Sequence, residues 1–170
     1  RQKMPDDLRS QVEEIRNMTD VLGIRSMMMN EYEADDILGS LAHTFAGRKC
    51  DVVLVTGDKD ALQLVRPGVT VYANRKGISE YELLDEEGVE QRMGVGPSRV
   101  IDLLALMGDA SDNVPGVRGV GEKTALTLIR EHGSIAGIYA ALDSIPDRQR
   151  RLLEEGRAMA DLSRELVTIK

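Results

Sequence analysis

The sequence of 170 residues predicts an α/β fold, in which a mostly parallel central sheet is flanked by helices and followed by a helical region. Amphipathic helical patterns alternate with short apolar runs in the first half, which is typical of right-handed βαβ crossovers. The run Val52–Val55 is apolar without alternation, as expected of a strand that is buried on both faces. From Pro97 onwards, the recognisable patterns are helical.

The predicted elements have recognisable start and stop signals. The first helix begins near Met4 and Pro5, and apolar residues recur at helical spacing until Gly23. The rest of the first half is predicted to hold a strand, a helix and two strands, at Ile24–Met29, Glu33–Ala46, Val52–Val55 and Val69–Ala73. Later helices are predicted at residues 97–107, 122–132, 135–142 and 148–167. We therefore divide the chain into an α/β part, residues 1–96, and a helical part, residues 97–170.

The composition excludes several classes of protein. A hydrophobic content of 42% is enough to build the core of one ordinary domain. The single cysteine, Cys50, allows no disulfide framework and no cysteine-based zinc site, which favours a reducing cytoplasm. The sequence shows neither a signal peptide nor an apolar run of about eighteen residues, so no membrane partner is predicted. The net charge of −7, taken by itself, argues against a nucleic-acid partner.

Acidic residues cluster at three points of the chain. Asp58 and Asp60 follow the strand Val52–Val55, and parallel sheets bind ligands beyond the carboxyl ends of their strands. A continuing strand or a tight turn at Gly57 could bring these two carboxylates together. The motif "EYEADD" starts a helix and "GDASDN" lies in a glycine-flanked loop; their acids are Glu33, Asp35, Asp36, Asp109 and Asp112. Taken singly, each cluster could equally be a solvated turn or a helix cap.

Seven carboxylates in one crevice would repel one another unless a cation compensates their charge. An oxygen-only ligand set without His or Cys favours two hard dications, Mg²⁺ or Mn²⁺, rather than zinc. Two such ions about 3.5–4 Å apart can activate a water and stabilise the leaving oxygen of a phosphodiester. The acidic excess of the chain equals these seven residues, so the remainder is neutral and DNA is again an acceptable partner.

The glycine-rich stretch "VPGVRGVGEKTA", residues 114–125, precedes a predicted helix that begins near Glu122. Its glycines allow backbone amides to approach a phosphate at the helix N-terminus, where basic side chains add positive charge. A nucleotide-binding P-loop is the rival interpretation, but Glu122 interrupts the spacing that it requires. The pattern instead indicates a helix-hairpin-helix element, which grips the duplex backbone without reading sequence. The predicted DNA-binding residues are Gly116, Arg118, Gly119, Gly121, Lys123 and Thr124.

Five motifs that cover nearly the whole chain are "MPDDLRSQ", "EYEADDILGSLA", "VTGDKDALQLV", "DLLALMGDASDNVPGVRGVGEKTA" and "LSRELVTIK". Together they resemble the 5′→3′ exonuclease domain of bacterial DNA polymerase I, within the flap-endonuclease family. The resemblance implies a PIN-like nuclease core and places all seven acids on metal-binding positions. It implies a catalytic set formed by Glu33, Asp35, Asp58 and Asp60. It also implies a K⁺ ion held by backbone carbonyls within residues 114–125, and substrates with 5′ flaps, nicks or RNA primers paired to DNA.

The chain departs from the family at its beginning. Members start with a strand that carries a metal-binding aspartate, followed by a second aspartate and a basic helical arch, and none of these precedes Arg1. We therefore expect a fragment that is poorly active alone, in which Arg1 and Lys3 are either the last arch residues or solvated terminal charges. A polymerase region could follow Lys170.

The sequence thus predicts a structure-selective, metal-dependent 5′ nuclease of DNA replication and repair, which is cytoplasmic and associated with the nucleoid. Three other hypotheses stay open at this point. They are a non-catalytic duplex-DNA-binding module, a PIN-type ribonuclease and a P-loop nucleotide hydrolase.

Overall fold

The computed structural model describes residues 5–48, 50–76 and 80–170, so Arg1, Lys3 and the predicted helix start at Met4 lie outside the described residues. The first helix, α1, spans Asp6–Val21 and confirms the helical pattern. Two aspartates in its first turn face the positive end of the helix dipole. No residue of α1 is buried, so this helix adds nothing to the core of the described chain.

The predicted strand at Ile24–Met29 is wrong. The segment has no strand partner among the described residues, and Met27, Met28 and Met29 are all exposed. Apolar content indicated a strand here, but a strand forms only where a neighbour completes its hydrogen bonds. The next helix, α2, spans Ala34–Phe45 and confirms the prediction at Glu33–Ala46.

The sheet has three strands in the order β1, β2, β3, at Val52–Val55, Val69–Lys76 and Glu80–Leu84. β1 pairs with β2 in parallel, and β2 pairs with β3 antiparallel. The α/β class is confirmed, and the sheet is mixed rather than mostly parallel. Neither β3 nor the following helix α3, Glu86–Met93, was predicted, because both segments are short and rich in Glu.

β1 is buried on one face only, which corrects the prediction that both faces are covered. Leu54 packs into the core, whereas Val53 and Val55 are 52% and 71% exposed. Helix α2 and the chain after β1 lie on the Leu54 side. The opposite face also exposes Leu83 of β3, which pairs with Tyr72 of β2. An apolar run without alternation therefore does not show by itself that both faces of a strand are covered.

The helical part contains α4 (Val100–Met107), α5 (Glu122–His132), α6 (Ile135–Ala140) and α7 (Asp147–Val167). All four helices were predicted, although α6 ends two residues before the expected end. Short 3₁₀ turns precede α4, at Pro97–Arg99, and follow α6, at Leu142–Ser144. No helix among the described residues is long and apolar enough to cross a bilayer.

Two apolar clusters form the core, one under the sheet and one among the helices. Helix α4 contributes to both: Val100 and Leu104 face the sheet, and Leu103 and Leu106 face the other helices. Met107 packs against both clusters. Because α4 joins the two cores, it fixes the loop that follows it relative to the end of β1. The division of the chain at residue 96 stays a prediction.

Candidate metal centre and nucleic-acid interface

The chain turns sharply after β1, which settles how Asp58 and Asp60 are arranged. The backbone N–H of Asp58 donates to Thr56 Oγ1 at 3.1 Å, and the N–H of Asp60 donates to Asp58 Oδ1 at 3.0 Å. A short 3₁₀ helix then runs from Asp60 to Leu64. The tight turn, and not a continuing strand, therefore brings the two acids together.

The loop after α4 holds Asp109 in a closed turn. Asp109 and Val114 exchange two backbone hydrogen bonds, of 3.0 and 2.8 Å. Asp109 Oδ1 accepts from the N–H of Ser111 at 2.7 Å, and Oδ2 accepts from Lys59 Nζ at 3.0 Å. Burial by itself raises the pKa of this carboxyl, but the hydrogen bonds from Lys59 and Ser111 outweigh burial, and the net pKa is lowered. Lys59 thus joins the loop after β1 to the loop after α4.

The start of α2 carries the third acidic cluster. Glu33 is the N-cap residue, and Asp36 accepts from the N–H of Glu33 at 3.1 Å, so the two form a capping box. Asp36 also accepts from the N–H of Lys170 at 2.8 Å. These two hydrogen bonds, that to Lys170 first, lower the pKa of Asp36. The carboxylate of Asp36 is therefore used to hold the helix start and the end of the described chain together.

The three clusters lie within electrostatic reach of one another. Burial and, after it, the charges of four other aspartates together raise the pKa of Asp60 to about 7; the four are Asp58, Asp112, Asp109 and Asp35. Burial also raises the pKa of Asp35, followed by the charges of Asp58, Glu33, Asp36 and Asp112. Carboxylates from three separate segments therefore face a common region. Their mutual repulsion there is only partly compensated.

A cavity of about 390 Å³ lies between the loop after β1 and the loop after α4, and its lining residues are Thr56, Gly57, Asp58, Lys59, Asp109, Ser111 and Asp112. Within residues 5–48, 50–76 and 80–170, no three acidic, His or Cys side chains are close enough to hold one ion together. Mg²⁺ usually takes only one or two carboxylates and keeps several waters. The oxygen-only donors and the space between them therefore fit a hydrated dication held by pairs of carboxylates.

Gly116 has a structural role in the helix-hairpin-helix stretch. It is buried at a φ of 64°, and its N–H donates to Ser163 Oγ on α7 at 2.9 Å. A Cβ at this position would meet the backbone N of Gly108 and lie 2.7 Å from the carbonyl carbon of Met107. The amide of Gly116 is thus used inside the protein, which argues against its predicted contact with a phosphate.

The other predicted DNA-binding residues lie in the turn before α5 and in the first turn of that helix. Arg118, Gly119, Gly121 and Lys123 are exposed, and Thr124 is half-buried. Gly121 is the N-cap residue, and no side chain caps the helix there. Its φ of −90° is ordinary and the space around it is open, so any requirement for glycine here would come from a ligand and not from backbone angles.

Sequence reasoning missed three residues that organise these sites. Lys59 stood between two candidate ligands in "GDKD" and received no role. Gln63 donates from Nε2 to Val167 O at 2.8 Å and accepts at Oε1 from the N–H of Ile169 at 3.1 Å. Ser163 holds the Gly116 amide. The four hydrogen bonds of these residues cross 47 or more residues of sequence, so no local pattern could have revealed them.

Comparison with known families decides the class of the protein. Residues 1–94 match the model described as "5′-3′ exonuclease, N-terminal resolvase-like domain". Residues 95–170 match "5′-3′ exonuclease, C-terminal SAM fold". The chain belongs to the 5′-3′ exonuclease family. The resemblance inferred from the five motifs is confirmed, and with it the nuclease class.

Curated relatives of this 5′-3′ exonuclease chain are much longer than it is. It is 42% identical over 170 residues to DNA polymerase I of Streptococcus pneumoniae. This alignment covers 99% of this chain and 19% of the relative. It is 45% identical over 178 residues to DNA polymerase I of Pseudomonas aeruginosa, and that alignment covers 100% of this chain and 19% of the relative. The chain therefore spans about a fifth of the length of the curated relatives that it matches.

Solved structures share the fold of this 5′-3′ exonuclease chain. T5 5′-exonuclease with bound zinc aligns with a TM-score of 0.76 and 20% identity, over 97% of this chain and 62% of that chain. The catalytic core of Rad2 in complex with DNA aligns with a TM-score of 0.60 and 18% identity, over 95% of this chain and 56% of that chain. At these identities the likeness supports the fold alone.

Proposed function

We propose that this chain is the carboxylate-bearing and duplex-gripping piece of a structure-selective 5′ nuclease, which hydrolyses phosphodiesters of DNA with two divalent ions, Mg²⁺ or Mn²⁺. The observation that carries this proposal is the cavity between the two loops, because aspartates from both line it. Carboxylates from distant segments that share one cavity and repel one another are expected where a cation binds.

The ligands that we propose are those that the sequence indicated. Asp58, Asp109 and Asp112 line the cavity, and Asp35 and Asp60 lie within electrostatic reach of it. The bound dications would supply an activated water and charge stabilisation for the leaving oxygen. Of the proposed catalytic set, Asp60 has to lose its proton before it can act as a ligand, so cations and protons compete for it near neutral pH.

Glu33 and Asp36 take a different place in this proposal. Both form the capping box that fixes the first turn of α2, in which Asp35 lies within electrostatic reach of Asp58 and Asp112. We keep Glu33 and Asp36 as proposed ligands, with the expectation that Asp36 binds metal only if its hydrogen bond to Lys170 opens.

The second part of the proposal is a duplex grip at the N-terminus of α5. Arg118 and Lys123 would neutralise phosphates, while backbone N–H groups of the first turn of α5 would donate hydrogen bonds to a phosphate oxygen. Such contacts fix position without reading sequence. We also propose that a K⁺ ion is held by backbone carbonyls of residues 114–125, as the resemblance implies.

The substrates that we propose are DNA with 5′ flaps, nicks or RNA primers, handled in replication and repair. A polymerase region in the full-length protein and a cytoplasmic, nucleoid-associated location would follow from the matched DNA polymerase I relatives. The proposed division of the chain assigns the carboxylates mainly to residues 1–96 and the duplex grip to residues 97–170.

A non-catalytic duplex-binding module is the second candidate. It is favoured by the finding that, within the described residues, no three ligating side chains lie close together. Under that hypothesis the duplex grip would work while the carboxylates bind no cation.

Calorimetry with Mn²⁺ separates the two candidates. We expect binding to the wild-type chain and its loss in the double variant Asp58→Asn, Asp60→Asn. The matched control is Asp143→Asn, which removes one exposed carboxylate in the 3₁₀ turn before α7. Equal Mn²⁺ binding by the wild type and the double variant would refute the proposed metal centre. The non-catalytic duplex-binding module would then be the remaining candidate.

A further inference from the structure

The ion pair between Lys59 and Asp109 links two loops whose acids are proposed metal ligands. Lys59 Nζ lies 3.0 Å from Asp109 Oδ2, across 50 residues of sequence. The side chain of Asp109 is 7% exposed, whereas that of Lys59 is 46% exposed. The carboxylate is therefore fixed and buried, and the ammonium reaches it from solvent.

From this geometry we infer that Lys59 is a resident cation that competes with divalent metal for Asp109. Its ammonium compensates the buried carboxylate when no metal is bound, and it has to leave Oδ2 before a metal can use that oxygen. The inference rests on the proposed function, because it presupposes that a divalent ion binds at this cavity.

The two oxygens of Asp109 are both in use, which makes the competition direct. Oδ1 accepts from the N–H of Ser111 at 2.7 Å, so Oδ2 is the oxygen paired with the ammonium. A Mg²⁺ or Mn²⁺ ligand bond of about 2.1 Å at Oδ2 would bring two positive charges against the same atom. Their repulsion at that distance in a partly buried cavity disfavours joint occupation.

The difference in exposure decides which group moves. A buried carboxylate without a counter-ion is costly, so Asp109 has to keep one cation at all times. Lysine carries a strongly hydrated charge on a flexible four-carbon stem, and the half-exposed Lys59 can return its ammonium to water at little cost. Metal binding therefore replaces the Lys59 ammonium with a divalent ion as the counter-ion of Asp109, and does not add a cation to an unpaired carboxylate.

This exchange gives effects of opposite sign that an ordinary structural ion pair does not give. Removing the ammonium should lower the melting temperature of the metal-free chain, since the buried Asp109 loses its partner. The same change should tighten metal binding, since no competitor remains. A purely structural ion pair would lower stability and leave metal affinity unchanged or weaker.

The first experiment compares Mn²⁺ binding and metal-free melting of the wild type, Lys59→Met and Arg151→Met. The Arg151 variant removes one exposed positive charge from α7 and serves as the matched control. We expect Lys59→Met to lower the Kd for Mn²⁺ by about fivefold or more and to lower the metal-free melting temperature by several degrees. Arg151→Met should change the Kd by less than about twofold.

A double-mutant cycle separates direct competition from a general charge effect. In an Asp109→Asn background the gain from Lys59→Met should disappear, and in an Asp112→Asn background it should persist. An equal gain in both backgrounds would overturn the inference. If Lys59→Met does not fold, Lys59→Gln keeps a neutral donor to Asp109 and supports the same comparison.

The outcomes also distinguish this inference from the proposed function. Wild-type binding of Mn²⁺ with no gain in Lys59→Met refutes the competition and leaves the metal centre intact. Absence of binding in the wild type together with clear binding in Lys59→Met supports the competition in its strongest form. Absence of binding in both refutes the metal centre and the competition together.

Discussion

The two halves of the molecule differ in how they use apolar and charged residues. In α4, six of eight residues are buried, whereas in the 16-residue α1 no residue is buried. The helical part also encloses Leu128, Ile129 and Leu153 completely. The α/β part exposes Val53 and Val55 on one face of its sheet and gathers mutually repelling carboxylates at the sheet's end.

The difference teaches where stability and proposed chemistry reside. The apolar residues of the helical part are buried against one another, so this core can hold the N-terminus of α5 in a fixed position. In the folded chain the aspartates at the end of the sheet repel one another, and no other contact among the described residues fully compensates this repulsion. Such uncompensated charge is expected at a site that binds a ligand. Substitutions in the buried helical core should therefore destabilise the chain, whereas substitution of Asp60, whose pKa is raised, should stabilise it in the absence of metal.

The largest effect is expected at Gly116, where α4, the hairpin and α7 meet. A side chain there would collide with backbone of Met107 and Gly108, and the φ of 64° is strained for any β-branched residue. Gly116→Val should lower the free energy of unfolding by about 4 kcal/mol or more, measured by urea denaturation. Gly121→Val is the control with open space around it, and a loss of similar size there would contradict this account.

A core substitution tests the contrast between α4 and α1. Leu104 is fully buried and Ile15 is 46% exposed. Leu104→Ala should cost about 3 kcal/mol of unfolding free energy, whereas Ile15→Ala should cost less than about 0.5 kcal/mol. Urea denaturation of both variants measures the difference, and comparable losses would mean that α1 packs more closely than the structure shows.

The duplex grip should respond to the loss of one charge. Lys123→Ala should weaken binding of unrelated duplex sequences by a similar factor of about 5 to 10, because it removes a phosphate contact and not a base contact. The salt dependence of log K should become shallower by about one unit. Fluorescence anisotropy on two unrelated duplexes at several salt concentrations measures both. A change in sequence preference would argue against a backbone grip.

The smallest effect is a gain in stability at Asp60. Its folded-state pKa of about 7 lies above the ordinary 3.8, so the stability associated with its proton is present below pH 4 and is lost as the pH rises through 7. Asp60→Asn should therefore match the wild type near pH 4 and exceed it at pH 8 without metal. We expect a gain of about 1 kcal/mol, since Asp60 is half-buried and solvent screens its charge.

Thermal melting across this pH range, with chelator present, measures the gain. The control is Asp143→Asn, which should leave the pH profile of melting unchanged. A stability difference that does not grow from pH 4 to pH 8 would mean that burial and the neighbouring charges do not raise the pKa of Asp60 as described.

Local patterns predicted much of this molecule, and long-range contacts account for the rest. Amphipathic spacing predicted α1, α2 and the four later helices because a helix completes its hydrogen bonds within one segment. The same kind of apolar pattern failed at Ile24–Met29, since a strand needs a partner that its own residues do not specify. It also failed to show that Val53 and Val55 are exposed, because coverage of a strand depends on distant elements.

In the candidate site, too, local patterns were predictable from the sequence and long-range contacts were not. Residue type and spacing indicated all seven acids, and a helix cap as one role for those of "EYEADD", but not that Asp36 bonds to Lys170 or that Gly116 is buried against Ser163. These roles depend on α7 and the end of the described chain returning to residues far away in sequence. Lys59 was visible between two acids, yet only the fold shows that it contacts a third.

The central claim is that aspartates from separate segments share a divalent metal centre at the end of the sheet. Anomalous X-ray scattering from crystals grown with Mn²⁺ tests it most directly, because the method locates the ion without relying on activity. We expect a peak in the cavity bounded by Asp58, Asp109 and Asp112, with Lys59 Nζ withdrawn from Asp109. Mn²⁺ peaks elsewhere on the surface and none in this cavity would contradict the account.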